Sequence, residues 1–292
     1  MATQTERRPE NVAGDFFVDR TCIDCDTCRW MAPQVFYRDN GQSAVYHQPE
    51  NWGDRQNALQ ALLACPTASI GTVEKPQDIK AAQETFPIPI ADNVYHCGYH
   101  SESSFGAVSY FIQHPDGNIL VDSPRFTPPL VKRIEAMGGI RWLYLTHKDD
   151  VADHQKFHDR FGCDRLLHED DITDDTQGIE QPLTGTEPIE LAPHLLIIPV
   201  PGHTKGHTVL LYRHQFLFSG DHVAWSYSLQ QLIAFRRHCW YSWEELRKSM
   251  KKLTAYRFEW VLPGHGRRYH APVEVMQAEL QKCVQWMAST SP

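Results

Sequence analysis

The chain has 292 residues, a length that suits about two domains. Hydrophobic residues make up 41% and charged residues 22%, ordinary globular usage that excludes wholesale disorder. A net charge of −8 argues against nucleic acid as a partner. No apolar run approaches the roughly 18 residues of a membrane-spanning helix. The opening MATQTERRPENVAG lacks the apolar core of a secretory signal. These features predict a cytoplasmic chain with no membrane partner. The informative residue types are the 16 histidines and the 8 cysteines.

Residues 1–13 read as a flexible tail. Cys22, Cys25 and Cys28 then follow one another as C-x2-C-x2-C, and Cys65 stands before Pro66. A disulfide framework suits short secreted chains rather than this one. Closely spaced thiolates instead wrap an iron–sulfur cluster. Ala32 occupies the position of a further Cys that a two-cluster protein would use, although Pro33 follows it. Cys65 is therefore expected to complete one cluster. The alternative is a structural zinc site, but zinc knuckles pair two C-x2-C hooks, which this spacing does not provide. Cys97, Cys163, Cys239 and Cys283 are scattered and read as small buried apolar side chains. Residues 15–20 and 69–73 read as paired strands, and 29–35 and 54–64 as helices. The segment from Gly14 to Val73 resembles single-cluster bacterial ferredoxins. The resemblance implies a [4Fe-4S] cluster on Cys22, Cys25, Cys28 and Cys65, in a small βαββαβ ferredoxin-like domain over residues 14–74.

Residues 75–87 are polar and then proline-punctuated, which predicts a linker into a second domain over 88–292. There, short apolar runs end in turns that carry His or Asp. Residues 105–113 and 118–122 read as strands around a Pro-Asp-Gly turn, and 128–137 as a helix. The strand at 141–146 runs into His147-Lys148-Asp149-Asp150-Val151-Ala152-Asp153-His154. The strand at 195–200 runs into Pro201-Gly202-His203-Thr204-Lys205-Gly206-His207. Those at 215–219 and 260–262 end in Gly220-Asp221-His222 and Pro263-Gly264-His265-Gly266. Strand ends are rigid, so such side chains converge on one sheet edge. Imidazole with carboxylate suits zinc, iron or manganese. The acidic run 168–175 reads as a solvated loop, and His222, His238 and His270 as surface or hydrogen-bonded histidines; His158, one helical turn after His154, reads as an exposed helix His, with a turn toward the strand-end cluster as the alternative. Trp240, Tyr241 and Trp243 read as core, with a substrate mouth as the alternative.

This series of motifs resembles the metallo-β-lactamase-fold superfamily across residues 88–292. The resemblance implies an αβ/βα sandwich, so that the whole chain is α+β, with two divalent metal ions at the sandwich edge. His147 and His203 are then implied to hold metal one, and Asp153, His154 and His265 metal two. Asp221 is implied to bridge them, with Asp122 and His207 supporting the ligands. The sequence departs from the pattern H-x-H-x-D-H, because Asp149 replaces the second His and two extra residues precede Asp153. The third ligand of metal one is then Asp149 as first choice or Asp150 as second. A carboxylate there makes the site harder, which favours iron or manganese.

Three functions follow. The first is a metal-dependent hydrolase of a thioester, lactone or related ester, in which a hydroxide bridges the two metals and Asp221 and Asp153 are catalytic. The second is a redox enzyme, in which the cluster delivers electrons to a non-haem iron site for oxygen, nitric oxide or persulfide chemistry, with a redox partner protein. The third is a cluster-based sensor without turnover. All but the last act on a small-molecule substrate.

Overall fold

The computed structural model describes residues 2–289. The outermost residues of the expected tail and of the expected second domain, 1 and 290–292, lie outside the described residues. The chain divides into two compact units. One runs to Gln113 and includes Pro124–Gly139, and the other holds His114–Ser123 and the chain from Ile140 onward.

The first unit begins with the expected βαββαβ order. Its elements are β1 (Phe16–Val18), α1 (Thr27–Met31), β2 (Phe36–Asp39), β3 (Gln42–Val45), α2 (Trp52–Ala64) and β4 (Ile70–Thr72). Strands β1 and β4 pair antiparallel, Phe16 opposite Thr72, and β2 pairs with β3. Helix α2 starts where the Asn51 side chain accepts from the Asp54 amide at 2.9 Å, a standard N-cap. It stops before Cys65-Pro66, since the residue before a proline disfavours helix. Phe16, Val18, Val35, Phe36, Ala58 and Leu59 form its core.

The segment expected as a linker holds α3 (Ile79–Glu84), whose Ile79 and Ala82 join that core. Spaced i, i+3, they share one helix face. Strands β5 (Ile88–Ala91), β6 (Val94–His96) and β7 (Tyr110–Ile112) follow as an antiparallel set, and α4 (Pro128–Ala136) closes the unit. The strand expected from 105 is shorter than predicted. Phe105 and Gly106 adopt positive φ, and turns close between Gly106 N and Ser101 O and between Ala107 N and Ser104 O.

Among the described residues, the second unit contains two larger sheets and a two-stranded hairpin. Strands β8 (Ile119–Val121), β9 (Trp142–Tyr144), β10 (Asp164–His168) and β11 (Gln181–Leu183) run parallel, with α5 (His154–Phe161) between β9 and β10. The other sheet has the order β12 (Ile189–Ala192), β13 (Leu195–Pro199), β14 (Thr208–Tyr212), β15 (Phe216–Gly220), β18 (Trp260–Pro263) and β19 (Tyr269–His270). A hairpin of β16 (Ala224–Ser226) and β17 (Gln231–Ile233) precedes α6 (Trp243–Leu253), and α7 (Val273–Ser289) follows β19. The Thr208 amide donates to Thr146 O at 2.9 Å, and the Tyr144 and Thr208 hydroxyls meet at 2.7 Å. These bonds tie the end of β9 to the start of β14. Loops 147–153, 201–207, 221–223 and 264–266 therefore leave neighbouring strand ends. Ile198, Val209, Leu217, Leu246, Val261 and Leu280 form the core behind them.

Candidate metal centres

In the first unit, Cys22, Cys25, Cys28 and Cys65 line one cavity with Val18, Ile23, Ser43, Ser69 and Ile70. The Ser43 amide points at Cys22 Sγ from 3.4 Å and the Ser69 amide at Cys65 Sγ from 3.3 Å. Such N–H groups stabilise thiolate charge. Burial pushes the Cys25 thiol up to about 11 and the Cys28 thiol well up too. Iron binding takes thiolates, so loading this cavity releases protons. Four thiol ligands around one pocket, with amide donors aimed at sulfur, fit a [4Fe-4S] cluster. Of the scattered cysteines, Cys97, Cys163 and Cys283 are buried, and Cys239 is half-buried with its Sγ 3.2 Å from Gly202 O.

In the second unit, six of the sequence-predicted residues meet: His147, Asp149, Asp150, His203, Asp221 and His265. His203 Nε2 lies 3.3 Å from Asp149 Oδ2 and 3.7 Å from Asp221 Oδ2, and His147 Nε2 lies 3.8 Å from Asp149 Oδ2. On the other side of Asp221, ligand atoms of His147, Asp150 and Asp221 lie within 4.8 Å of one another. His265 Nδ1 is 2.9 Å from both Asp221 oxygens. His147 Nε2 and both Asp150 oxygens are buried without a hydrogen-bond partner. Burial with the Asp221 charge pushes the Asp150 carboxyl well up, whereas burial lowers His147 to about 4 and keeps it neutral. For Asp221, burial is outweighed by His265, His147 and His203, which hold its carboxyl well down. A buried carboxylate without a partner is costly unless a cation pairs it. Neutral imidazoles and carboxylates of this kind fit divalent ions.

Asp153 and His154 do not join the cluster, contrary to the motif reading. Helix α5 begins at His154, directly after Asp153, whose side chain makes no cap hydrogen bond. Asp153 pairs with Lys156 at 2.7 Å. His154 reaches Asp175 O at 3.2 Å and sits 3.2 Å from Arg165 Nη1. The extra residues of the loop bring Asp150 to the place next to Asp221. Both aspartates left open as alternatives thus stand in the cluster, Asp149 on the His203 side and Asp150 on the Asp221 side. His158 is also elsewhere, with its Nδ1 2.8 Å from Cys163 O.

Asp122 acts one step further from the cluster than expected. Its carboxylate accepts the Thr146 amide at 2.8 Å and the Thr146 hydroxyl at 3.0 Å, and Thr146 Oγ1 lies 2.9 Å from His147 Nδ1. With the hydroxyl donated to Asp122, its oxygen takes the Nδ1 proton of His147. Nε2 is then left as a bare donor atom. His207 Nε2 accepts the Asp221 amide at 3.1 Å, so His207 positions Asp221 and does not offer that atom to a metal.

Two residues escaped sequence reasoning. Asp171, inside the acidic run read as solvated, is 1% exposed. It accepts the Lys148 amide at 3.2 Å, the Gly206 amide at 2.8 Å and the Thr204 hydroxyl, and so clamps the loops that carry His147 and His203. A Cβ on Gly264 would meet Asp150 Oδ2 at 2.6 Å, so only glycine lets this backbone approach the carboxylates. His222 is fully buried rather than at the surface, and neither ring nitrogen has a partner. His238 and His270 are exposed. Trp240 is 60% exposed instead of core, with its ring 6.3 Å from that of His203, and Tyr241 is exposed beside it.

Residues 18–72 match the family described as the 4Fe-4S single cluster domain of ferredoxin I. No curated protein matches the chain by sequence. Solved metallo-β-lactamases are similar in structure. The FIM-1 enzyme of Pseudomonas aeruginosa, in its mono-zinc form, is 18% identical with a TM-score of 0.52, covering 69% of this chain and 95% of its own. The DIM-1 metallo-β-lactamase is 15% identical with a TM-score of 0.54, covering 70% and 96%. The metallo-β-lactamase of Hirschia baltica is 16% identical with a TM-score of 0.52, covering 70% and 98%. At these identities the likeness is one of fold. The chain joins a segment that matches the single-cluster ferredoxin family to a metallo-β-lactamase fold. No helix among the described residues is long and apolar enough to cross a membrane.

Proposed function

We propose that the chain is a metal-dependent hydrolase of a thioester, lactone or related ester, with a [4Fe-4S] cluster on Cys22, Cys25, Cys28 and Cys65. His147, Asp149, His203 and Asp221 would hold one divalent ion, and Asp150, Asp221 and His265 the other. The observation that carries this reading is the Asp150 carboxylate, 1% exposed and without a partner at either oxygen. Two divalent ions bound there supply Lewis acidity and lower the pKa of water toward neutrality.

The chain's own residues do the rest. Asp122 and Thr146 fix the His147 tautomer, while His207 holds the Asp221 main-chain amide and His265 the Asp221 carboxylate. Asp150 has two oxygens for two tasks. With a divalent ion in place, one oxygen would be its ligand, and the other can take a proton from water and return it to the leaving group. The exposed face of Trp240 beside His203 suits the apolar part of an acyl substrate. The test is turnover of a panel of aryl and alkyl thioesters, lactones and esters by anaerobically purified, metal-replete protein. Hydrolysis abolished by Asp150→Ala supports the reading. No turnover of any class at full metal occupancy overturns it.

A second reading, non-haem iron redox chemistry, is favoured by the carboxylate-rich ligand set of Asp149, Asp150 and Asp221, which suits iron. Iron in that site, together with electron transfer from the reduced cluster, would place it first.

A further inference from the structure

Strand β3 brings Ser43 against the cysteine cavity, where it serves two of the four sulfurs. Its amide donates to Cys22 Sγ at 3.4 Å, and its hydroxyl oxygen lies 3.2 Å from Cys28 Sγ. Arg29, the residue after Cys28 on α1, places Nη1 2.9 Å from that same oxygen. Ser43 is 1% exposed and Arg29 8%. A guanidinium, a hydroxyl and a cluster-ligating sulfur are thus linked in series inside the first unit.

Donor chemistry sets the direction of this series. A thiolate ligand only accepts, so the Ser43 hydroxyl donates to Cys28. A guanidinium only donates, so the Ser43 oxygen accepts from Arg29. Arg29 is itself held in place. Its Nε donates to Asp26 Oδ1 at 2.6 Å, and its Nη1 to Asp24 Oδ1 at 2.7 Å. Asp24 and Asp26 flank Cys25, and both take positive φ, 61° and 67°, a conformation that Asp tolerates better than most residues. The loop that winds the cysteines around the cavity therefore also presents the carboxylates that aim Arg29. On the strand side, Arg8 donates to the Ser43 carbonyl and, at 2.9 Å, to the Asp39 carbonyl, which fixes the backbone that carries Ser43.

We propose that Ser43 is a positioning residue that raises the reduction potential of the cluster, its hydroxyl carrying the Arg29 charge to Cys28. Reduction adds one electron, given by a low-potential carrier of the reduced flavin or iron–sulfur class. No bond forms or breaks and no proton moves. A donor hydrogen bond to a ligand sulfur stabilises the more negative state more than the less negative one, and so favours reduction. Arg29 polarises the Ser43 hydroxyl and strengthens that bond, and burial keeps water from screening it. Asp24 and Asp26 offset much of the Arg29 charge at longer range. The hydrogen bond through Ser43 is the route that remains.

Two substitutions separate the bond from the charge behind it. Ser43→Ala removes the hydroxyl and keeps the amide on Cys22, so it isolates the arm toward Cys28. Arg29→Gln removes the charge and leaves the Ser43 hydroxyl in place to donate. The Ser69 amide on Cys65, at 3.3 Å, is untouched by either change.

The proposal rests on the cluster assignment and not on the hydrolytic reading. The test is a mediated dithionite titration of the full, anaerobically purified chain, followed by visible and paramagnetic resonance spectra, for wild type, Ser43→Ala, Arg29→Gln and the double variant. Ser43→Ala is expected to lower the equilibrium constant for reduction about tenfold, which moves a one-electron midpoint down by about 59 mV. Arg29→Gln is expected to lower it too, and by less on the Ser43→Ala background than on wild type, because the route is already cut. An unchanged potential in Ser43→Ala, with its cluster spectrum intact, overturns the proposal. An Arg29→Gln shift that is equal on both backgrounds also overturns it, since the charge then acts through space and not through Ser43. If Ser43→Ala assembles no cluster, Arg29→Gln decides: a lowered potential supports the proposal, and an unchanged or raised one overturns it. Loss of the cluster in both variants makes the pair structural and overturns the tuning role. A wild-type chain that assembles no cluster overturns the cluster assignment and the proposal with it.

Discussion

Replacing Asp171 by Ala removes a carboxylate outside the candidate ligand cluster, yet it should loosen the proposed metal site. Its two oxygens accept the Lys148 amide, the Gly206 amide and the Thr204 hydroxyl, three hydrogen bonds in a position 1% exposed. Hydrogen bonds to a charged acceptor contribute about 1.5–3 kcal/mol each, and the orphaned donors would stay partly buried. Because the bonds share one acceptor, the total is about 3–6 kcal/mol rather than their full sum. At about 2–4 °C per kcal/mol, the melting transition of the second unit should fall by roughly 6–24 °C. Metal affinity should fall by about 10–100-fold, the usual cost of losing an outer support. Asp171→Asn keeps an acceptor for the Gly206 amide and should lose about half as much stability. The assay is differential scanning calorimetry of metal-loaded protein beside competition titration with a chelator. An Asp171→Ala variant with wild-type melting and wild-type metal affinity would refute the clamp.

Further consequences can be measured separately. Burial lowers His222 to about 3, so the folded chain binds fewer protons there than the unfolded chain between about pH 6.5 and 3. That stability is present above the unfolded pKa and is lost as pH falls. His222→Phe should therefore show a smaller drop in melting temperature from pH 7 to 4 than wild type, and an equal drop counts against the assignment. Cys65→Ser should strip or convert the cluster, whereas an unchanged cluster spectrum would mean that Cys65 is not a ligand. Gly264→Ala places a Cβ 2.6 Å from Asp150 Oδ2. It should cost at least tenfold in metal affinity while leaving the cluster spectrum intact, which dialysis against graded chelator would check.

Much of this was legible in the residues. The C-x2-C-x2-C spacing and the distant Cys65-Pro66 located one cavity, because a cluster needs thiolates at fixed short separations. Strand ends carrying His147, His203, Asp221 and His265 also met, because rigid strands determine where their ends lie. Pattern matching failed where the chain departed from the pattern. Counting along the loop assigned Asp153 and His154 to the metal, but a helix start claimed them, and Asp150 filled the gap. Asp171 looked like one charge among many, since nothing in an acidic run marks which carboxylate turns inward. Trp240 is exposed although its sequence reads as core, because hydrophobicity does not say which face is open. Ser43 belongs to no spacing motif, and only folding brings its hydroxyl to Cys28 and Arg29.

The most direct test of the account is the metal content of the wild-type chain beside Asp150→Ala, Asp153→Ala and His154→Ala, each purified without oxygen. About four iron in the cluster and about two further divalent ions are expected per wild-type chain. Asp150→Ala should lose about one of the latter and keep its cluster, while Asp153→Ala and His154→Ala keep the full complement. Loss of metal in the Asp153 and His154 variants, with Asp150→Ala unaffected, would contradict the account.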